Sequence, residues 1–350
     1  SNNVTGAFAL TKNGTNTVTL SGANGFTTLT AALGTLKLGS ATALSDTGNP
    51  TTISSGAVLD LNGQTVGAEP LTISGSGFGG SGTITGVGSV SSLGAVINSS
   101  ASAANFGGAI TLGAAASVGG SRVNALSGVT SGNITLSGVI SGNQTLTKVG
   151  TNIVTLTAAN TFDATTINGG AVVVSGAGTL GDAGAVTLNN ATNTGIVPDV
   201  RLSLDNSGSA SSLRLGQRTL TLSGGHLELV GNAATGVNET LATDVQIQIN
   251  IGHNLVTLDN TGANLRITTA GSGTFARANN ATVFVRGDAL GQGTGATNTN
   301  IVLATTTAPT NWQTVLGHSG PSRILPPRAM GPLLPPSSWS MKGQPMVCAP

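Results

Sequence analysis

Residues 146–182 read LTKVGTNIVTLTAANTFDATTINGGAVVVSGAGTLGD, and residues 10–46 read LTKNGTNTVTLSGANGFTTLTAALGTLKLGSATALSD. The two stretches align without a gap and are identical at 17 of 37 positions. Compositional bias explains some of the matches, but not Lys12 with Lys148, Phe26 with Phe162 or Asp46 with Asp182. In both copies apolar residues alternate with threonine, as in Thr17-Val-Thr-Leu20 and Val154-Thr-Leu156. A period of two marks a strand with one buried face, and β-branched side chains suit that pleated surface. Gly, Asn and Ser then punctuate, supplying positive φ and side-chain-to-backbone turns. Shorter echoes, Leu71-Thr-Ile-Ser-Gly75, Ile134-Thr-Leu-Ser-Gly138 and Leu220-Thr-Leu-Ser-Gly224, lie between and beyond the two copies. No long window combines helical periodicity with caps. The pattern predicts an all-β chain of short strands.

Composition narrows this further. Of 350 residues 53 are Gly, 7% are charged, 3% are aromatic and none is Tyr; about 25% charge is ordinary. At 38% hydrophobic residues and a mean hydropathy of +0.23 the chain is too apolar for the disordered class. β-Sandwiches bring more aromatics and larger core residues from two facing sheets. Small aliphatics suit a narrow core, in which parallel strands stack like on like about 4.8 Å apart. The predicted architecture is a right-handed parallel β-helix (β-solenoid) over residues 1–305. With short solenoid repeats it holds roughly a dozen to fifteen rungs, a rod on the order of 60–70 Å long. Residues 306–350 break character. Nine of the twelve prolines fall there, with both Trp, all three Met and Cys348. Pro326-Pro327 and Pro335-Pro336 cannot join a ladder, and an irregular Pro-rich C-terminal tail is expected.

The stretch from Gly132 to Ser175 contains Gly132-Asn-Ile-Thr-Leu-Ser-Gly-Val-Ile-Ser-Gly142, Leu146-Thr-Lys-Val-Gly150, Val154-Thr-Leu156, Ala159-Asn-Thr-Phe162, Thr165-Thr-Ile-Asn-Gly-Gly170 and Val172-Val-Val-Ser175. It resembles the autotransporter-associated β-strand repeat. The copy from Leu10 to Leu38 departs from that pattern where Leu29-Thr-Ala-Ala-Leu-Gly34 replaces Thr-Thr-Ile-Asn-Gly-Gly. The two copies cover about a fifth of the chain, and the remainder matches only in style. The resemblance implies a passenger-like β-helix of an exported bacterial protein, extracellular or on the bacterial outer surface. It implies no particular activity, because a fold does not specify one.

The charges are 13 basic and 12 acidic residues, net +1, scattered singly. No Lys/Arg run exists to neutralise phosphates, so no nucleic-acid partner is expected. No apolar stretch approaches the roughly 20 residues of a spanning helix, so no membrane span is expected in this chain. The lone Cys348 excludes an internal disulfide and a cysteine-built metal site. Gly176-Ala-Gly178-Thr-Leu-Gly181 and Gly75-Ser-Gly77-Phe-Gly-Gly80 fit a dinucleotide-loop spacing, but residues 182–188, after the first, read as turn and strand rather than the helix a pyrophosphate needs. Gly317-His318-Ser319-Gly320 lacks the glycine of a nucleophile elbow, with Pro321 in its place. His226, His253 and His318 show no metal spacing, and irregular Thr-x-Thr pairs such as 17/19 and 155/157 form no regular array. Lys12 and Lys148 read as turn-exposed solubilising residues, and the twelve acids as isolated solvated carboxylates. Successive rungs can bring distant acids together. Asp199, Asp205 and Glu228, with Arg201 and Arg214 nearby, are the set that would serve a glycosidase-like carboxylate pair.

The function expected is that of a non-catalytic extracellular structural or surface protein, a β-helical rod. It would associate with itself end to end or laterally into filaments, or act in adhesion, with surface glycans as further partners. The alternative is a carbohydrate-active β-helix enzyme of polysaccharide-lyase or glycoside-hydrolase type, or a glycan-binding module. No catalytic, cofactor-binding or metal residue is assigned, and no cofactor is expected.

Overall fold

The computed structural model describes residues 3–45, 48–78, 82–84, 88–90, 94–120, 131–181, 183–190, 200–216, 218–243, 247–270, 275–288, 290, 298–302, 313–316 and 346–349. Among the described residues every regular element is a β-strand and none is a helix. The chain returns repeatedly to the same two long sheets, and up to Gly287 each strand that it adds there pairs parallel with the strand before it in the sheet. The longer sheet runs in chain order through Ala9–Lys12, Thr28–Ala31, Thr51–Ile53, Leu71–Gly75, Ile110–Val118, Leu146–Lys148, Thr165–Ile167, Val186–Asn189, Leu220–Ser223, Ile247–Ile251 and Phe275–Arg277. A second sheet runs through Thr65–Val66, Ala104–Phe106, Ile134–Leu136, Ile153–Leu156, Ala171–Val174, Val200–Asp205, Gly225–Val230, His253–Asp259 and Thr282–Gly287. A third, of three strands, joins Val237–Thr243, Leu265–Ala270 and Thr299–Val302. All-β, with long parallel sheets, the arrangement is compatible with a β-helix.

The register explains the predominance of Leu, Ile and Val. In the second sheet Val66, Phe106, Leu136, Leu156, Val174, Leu204, Leu229 and Leu258 stand in one row, each opposite the next. All are buried. Burying such a side chain contributes about 1.5–3 kcal/mol, and each pass gains it only by lying on its neighbour.

The two copies of the repeat fold alike. Leu10 pairs with Leu29 as Leu146 pairs with Thr165. Asn24 accepts from Val4 N at 2.8 Å and donates to Ala43 O at 2.7 Å. Asn160 makes the matching bonds, from Ile140 N and to Thr179 O, at 2.8 and 2.7 Å. One buried amide thus ties three passes together in each copy, which answers the obligation of buried backbone groups to be paired. Gly34 and Gly170 both have positive φ, +73° and +60°. A Cβ there would collide with the carbonyls of Gly14 and Asn16 in one copy and of Asn152 and Gly150 in the other. Gly34 therefore keeps the backbone of the repeat where the sequence around it has drifted.

Lys12 and Lys148 are both buried, which corrects the reading of them as exposed solubilising residues. Lys148 stands in an aliphatic row between Val118 and Ile167. Its stem continues the core, and its ammonium donates to the carbonyls of Val149, Gly150 and Gly169 at 2.8, 2.9 and 3.1 Å. Lys12 donates to Gly14 O at 2.6 Å and Leu33 O at 2.8 Å, the corresponding residues of its copy. Tight turns leave carbonyls pointing inward, and a long cation satisfies several at once. Burial pulls the Lys148 ammonium down to about 7.

Within 306–350 the described residues are two strands, Gln313–Leu316 and Met346–Ala349, antiparallel to each other. The second also pairs antiparallel with Thr282–Gly287. The paired prolines and Gly317–Gly320 lie outside the described residues.

Candidate functional site

The acids and cations singled out in the sequence go to two different places. One is interior. Arg214 is fully buried; its Nε donates to Asn206 Oδ1 at 2.7 Å, and its Nη atoms donate to Gly178 O and Gly176 O at 2.9 and 3.0 Å. Glu239 accepts from the backbone N–H groups of Arg214 and Leu215 at 3.1 and 2.7 Å. Burial pushes the Glu239 carboxyl up to about 7 against the pull of those two donors. Burial likewise lowers the Arg214 pKa, opposed by Glu239 and Asp205. Arg218 stacks over the Phe162 ring, 5.7 Å from its centroid, and donates to Phe162 O at 3.0 Å. The glycine-rich loop at 176–181 is thus a turn clamped by Arg214, and a strand follows it. Asp60 is also buried, accepting from Ser99 N and Oγ at 2.9 and 2.6 Å, and so is Glu69. For Asp60, Glu69 and Glu239 the solvated-carboxylate reading is corrected: these carboxylates supply acceptors the interior lacks.

The other place is the outer face of the second sheet, near its C-terminal end. Inward-pointing Leu202, Leu204, Leu227 and Leu229 leave Arg201, Ser203, His226 and Glu228 on the opposite face. Register sets Arg201 beside His226 and Ser203 beside Glu228, then Thr257 and Arg286 in the same row as Glu228. Arg201 Nη1 binds Glu228 Oε2 at 2.8 Å. Thr257 Oγ1 accepts from Arg286 Nε at 2.9 Å and lies 2.9 Å from His226 Nε2. Arg286 Nε can only donate, so Thr257 Oγ1 accepts there, and its contact with His226 Nε2 suits either imidazole tautomer. Burial holds the His226 pKa down to about 4, with Arg286 and Arg201 adding to the depression and Glu228 opposing it. Beside this row lies a groove of about 550 Å³, lined by Glu228, Thr257, Asp259, Phe284, Arg286 and Asp288 among others.

Of the sequence-derived set, the fold brings Arg201 and Glu228 together. Asp205 lies on the neighbouring strand opposite Val230, where its Oδ1 accepts from Ser207 N at 2.9 Å and closes a turn. Arg214 is interior, and Asp199 lies outside the described residues, as do Asp46, Asp182, Asp244 and His318. His253 is exposed and bonded to Thr282 Oγ1 at 2.7 Å. Thr257, Asp259, Phe284, Arg286 and Asp288 escape a reading of the sequence as a site. The signal that could have found them is spacing: Arg286 follows Thr257 by 29 residues, as Thr257 follows Glu228. Among the described residues no group of three or more His, Cys, Asp or Glu is placed to hold a metal ion, and no helix is long and apolar enough to cross a membrane. No protein-family model, curated protein or solved structure matches the chain.

Proposed function

We propose that the chain is a right-handed parallel β-helix of the passenger-like class, serving as a non-catalytic structural rod on an extracellular or outer bacterial surface. The observation that supports this most is where the scarce charges go. Lys12, Lys148, Arg214 and Glu239 are spent on backbone groups of turns, two of them at matching repeat positions. Such a chain invests its ionisable groups in holding passes together. The long parallel sheets and the repeat resemblance agree with this reading. The rod associates with further copies of itself end to end or laterally, and adhesion is the surface role it would serve. Light scattering after size-exclusion chromatography, with negative-stain microscopy, tests it. Elongated particles that lengthen with concentration are expected; compact, monodisperse monomers at every concentration would contradict it.

A further inference from the structure

The geometry points to the groove beside Arg286 as a binding site for a neutral oligosaccharide. This goes beyond a structural rod and does not depend on rods assembling. In a chain with 7% charge, the outer face of four consecutive strands and the turn after them carry Arg201, Asp205, Glu228, Asp259, Arg286 and Asp288. The groove of about 550 Å³ falls in the size range of small-molecule sites.

Its chemistry selects the ligand. Phe284 is half-buried, so part of its ring faces the groove and offers an apolar platform. Asp259 and Asp288 are exposed and accept only. Arg286 is exposed, and Thr257 occupies its Nε, which leaves the two Nη groups as donors with a set direction. A sugar hydroxyl donates and accepts at once. Carboxylates flanking a guanidinium therefore suit vicinal hydroxyls, while a ring face lies on Phe284. Charge excludes the nearest competitors. Arg201 is already paired with Glu228, so Arg286 is the one guanidinium left without a carboxylate partner in a groove that Asp259 and Asp288 also line, and a uronate or sulfated chain is repelled. His226 and Thr257 act as positioning residues: the hydroxyl orients Arg286, and the neutral imidazole orients the hydroxyl. Organising a donor before binding lowers the ordering cost of capture.

The test applies the full chain to an array of immobilised oligosaccharides covering neutral hexose, N-acetylhexosamine and uronate series, followed by calorimetric titration of the best binder. Binding within the neutral or N-acetylated series is expected. Arg286→Ala should weaken it at least tenfold, and Arg286→Lys should not restore it, because an ammonium lacks the fork. Asp259→Asn, at an exposed position that the fold does not need, should weaken it severalfold with the circular dichroism unchanged. No binding anywhere on the array, a preference for uronates, or affinity unchanged in both Arg286→Ala and Asp259→Asn would each overturn the assignment.

Discussion

Lys148 donates to the Gly169 carbonyl at 3.1 Å, and this bond joins two successive passes of the chain. Lys12 makes its counterpart to Leu33 at 2.8 Å. Lys148→Met keeps the aliphatic stem in its row and strands three carbonyls. Each unsatisfied buried group costs about 1–3 kcal/mol; with one of the three bonds buried and two part-buried, a loss on the order of 2–4 kcal/mol is expected in urea unfolding. Lys12→Met should cost less, because both of its bonds to Gly14 and Leu33 are part-buried, whereas the Lys148 bond to Val149 is buried. Equal stability of Lys148→Met and the parent would refute the clamp.

Gly170→Ala places a Cβ against the Asn152 and Gly150 carbonyls at a φ of +60°. Strain at such a position exceeds the gain of about 0.4–1 kcal/mol that the same change brings at a compatible site. A net loss of at least about 1 kcal/mol is expected, and Gly34→Ala should match it. Thermal unfolding of both variants checks this; an unchanged midpoint in either denies the shared backbone.

Asn160→Ala removes an acceptor for Ile140 N and a donor to Thr179 O. The cost, about 1–3 kcal/mol, falls on two junctions at once. Hydrogen exchange reads it locally: amides around Ile140 and Thr179 should lose protection together, while those around Val4 and Ala43, held by Asn24, should not.

His226 sets a dependence on acid. Its folded pKa, about 4, lies below the ordinary 6.5. Its contribution is therefore complete above pH 6.5 and is lost as pH falls through that value toward 4, by at most about 3 kcal/mol. Glu239 acts with the opposite sign, because its folded pKa is raised to about 7. The difference between the parent and His226→Gln isolates the histidine. The gap in unfolding free energy should narrow between pH 6.5 and 4; a constant gap would contradict the neutral imidazole.

The strands and turns were legible in the sequence because both have local signatures, threonine alternation and glycine punctuation. The two gapless copies even placed Lys12 and Lys148 at one structural position. Their burial was not legible, because the acceptors are backbone carbonyls, which every residue carries and no sequence displays. The outer-face cluster beyond Arg201 and Glu228 escaped for another reason. Ser203, Glu228, Thr257 and Arg286 come into one row only when the length of each pass is known, and those lengths vary with the turns between strands. Asp205 and Arg214 illustrate the cost: convergence of successive rungs suggested a shared site, and the turn after Asp205 carries Arg214 inside instead.

The parallel register of successive passes underlies both the core rows and the outer-face cluster, and disulfide trapping measures it directly. Thr135 stands opposite Thr155, and Thr155 opposite Val173. In a Cys348→Ser background, Thr135→Cys with Thr155→Cys places two cysteines on adjacent strands, about 4.8 Å apart and within bridging distance. Thr135→Cys with Val173→Cys places them two strands apart, beyond it. Rapid bridging of the first pair and none of the second is the expected result; equal bridging of both, or failure of the first, would contradict the fold.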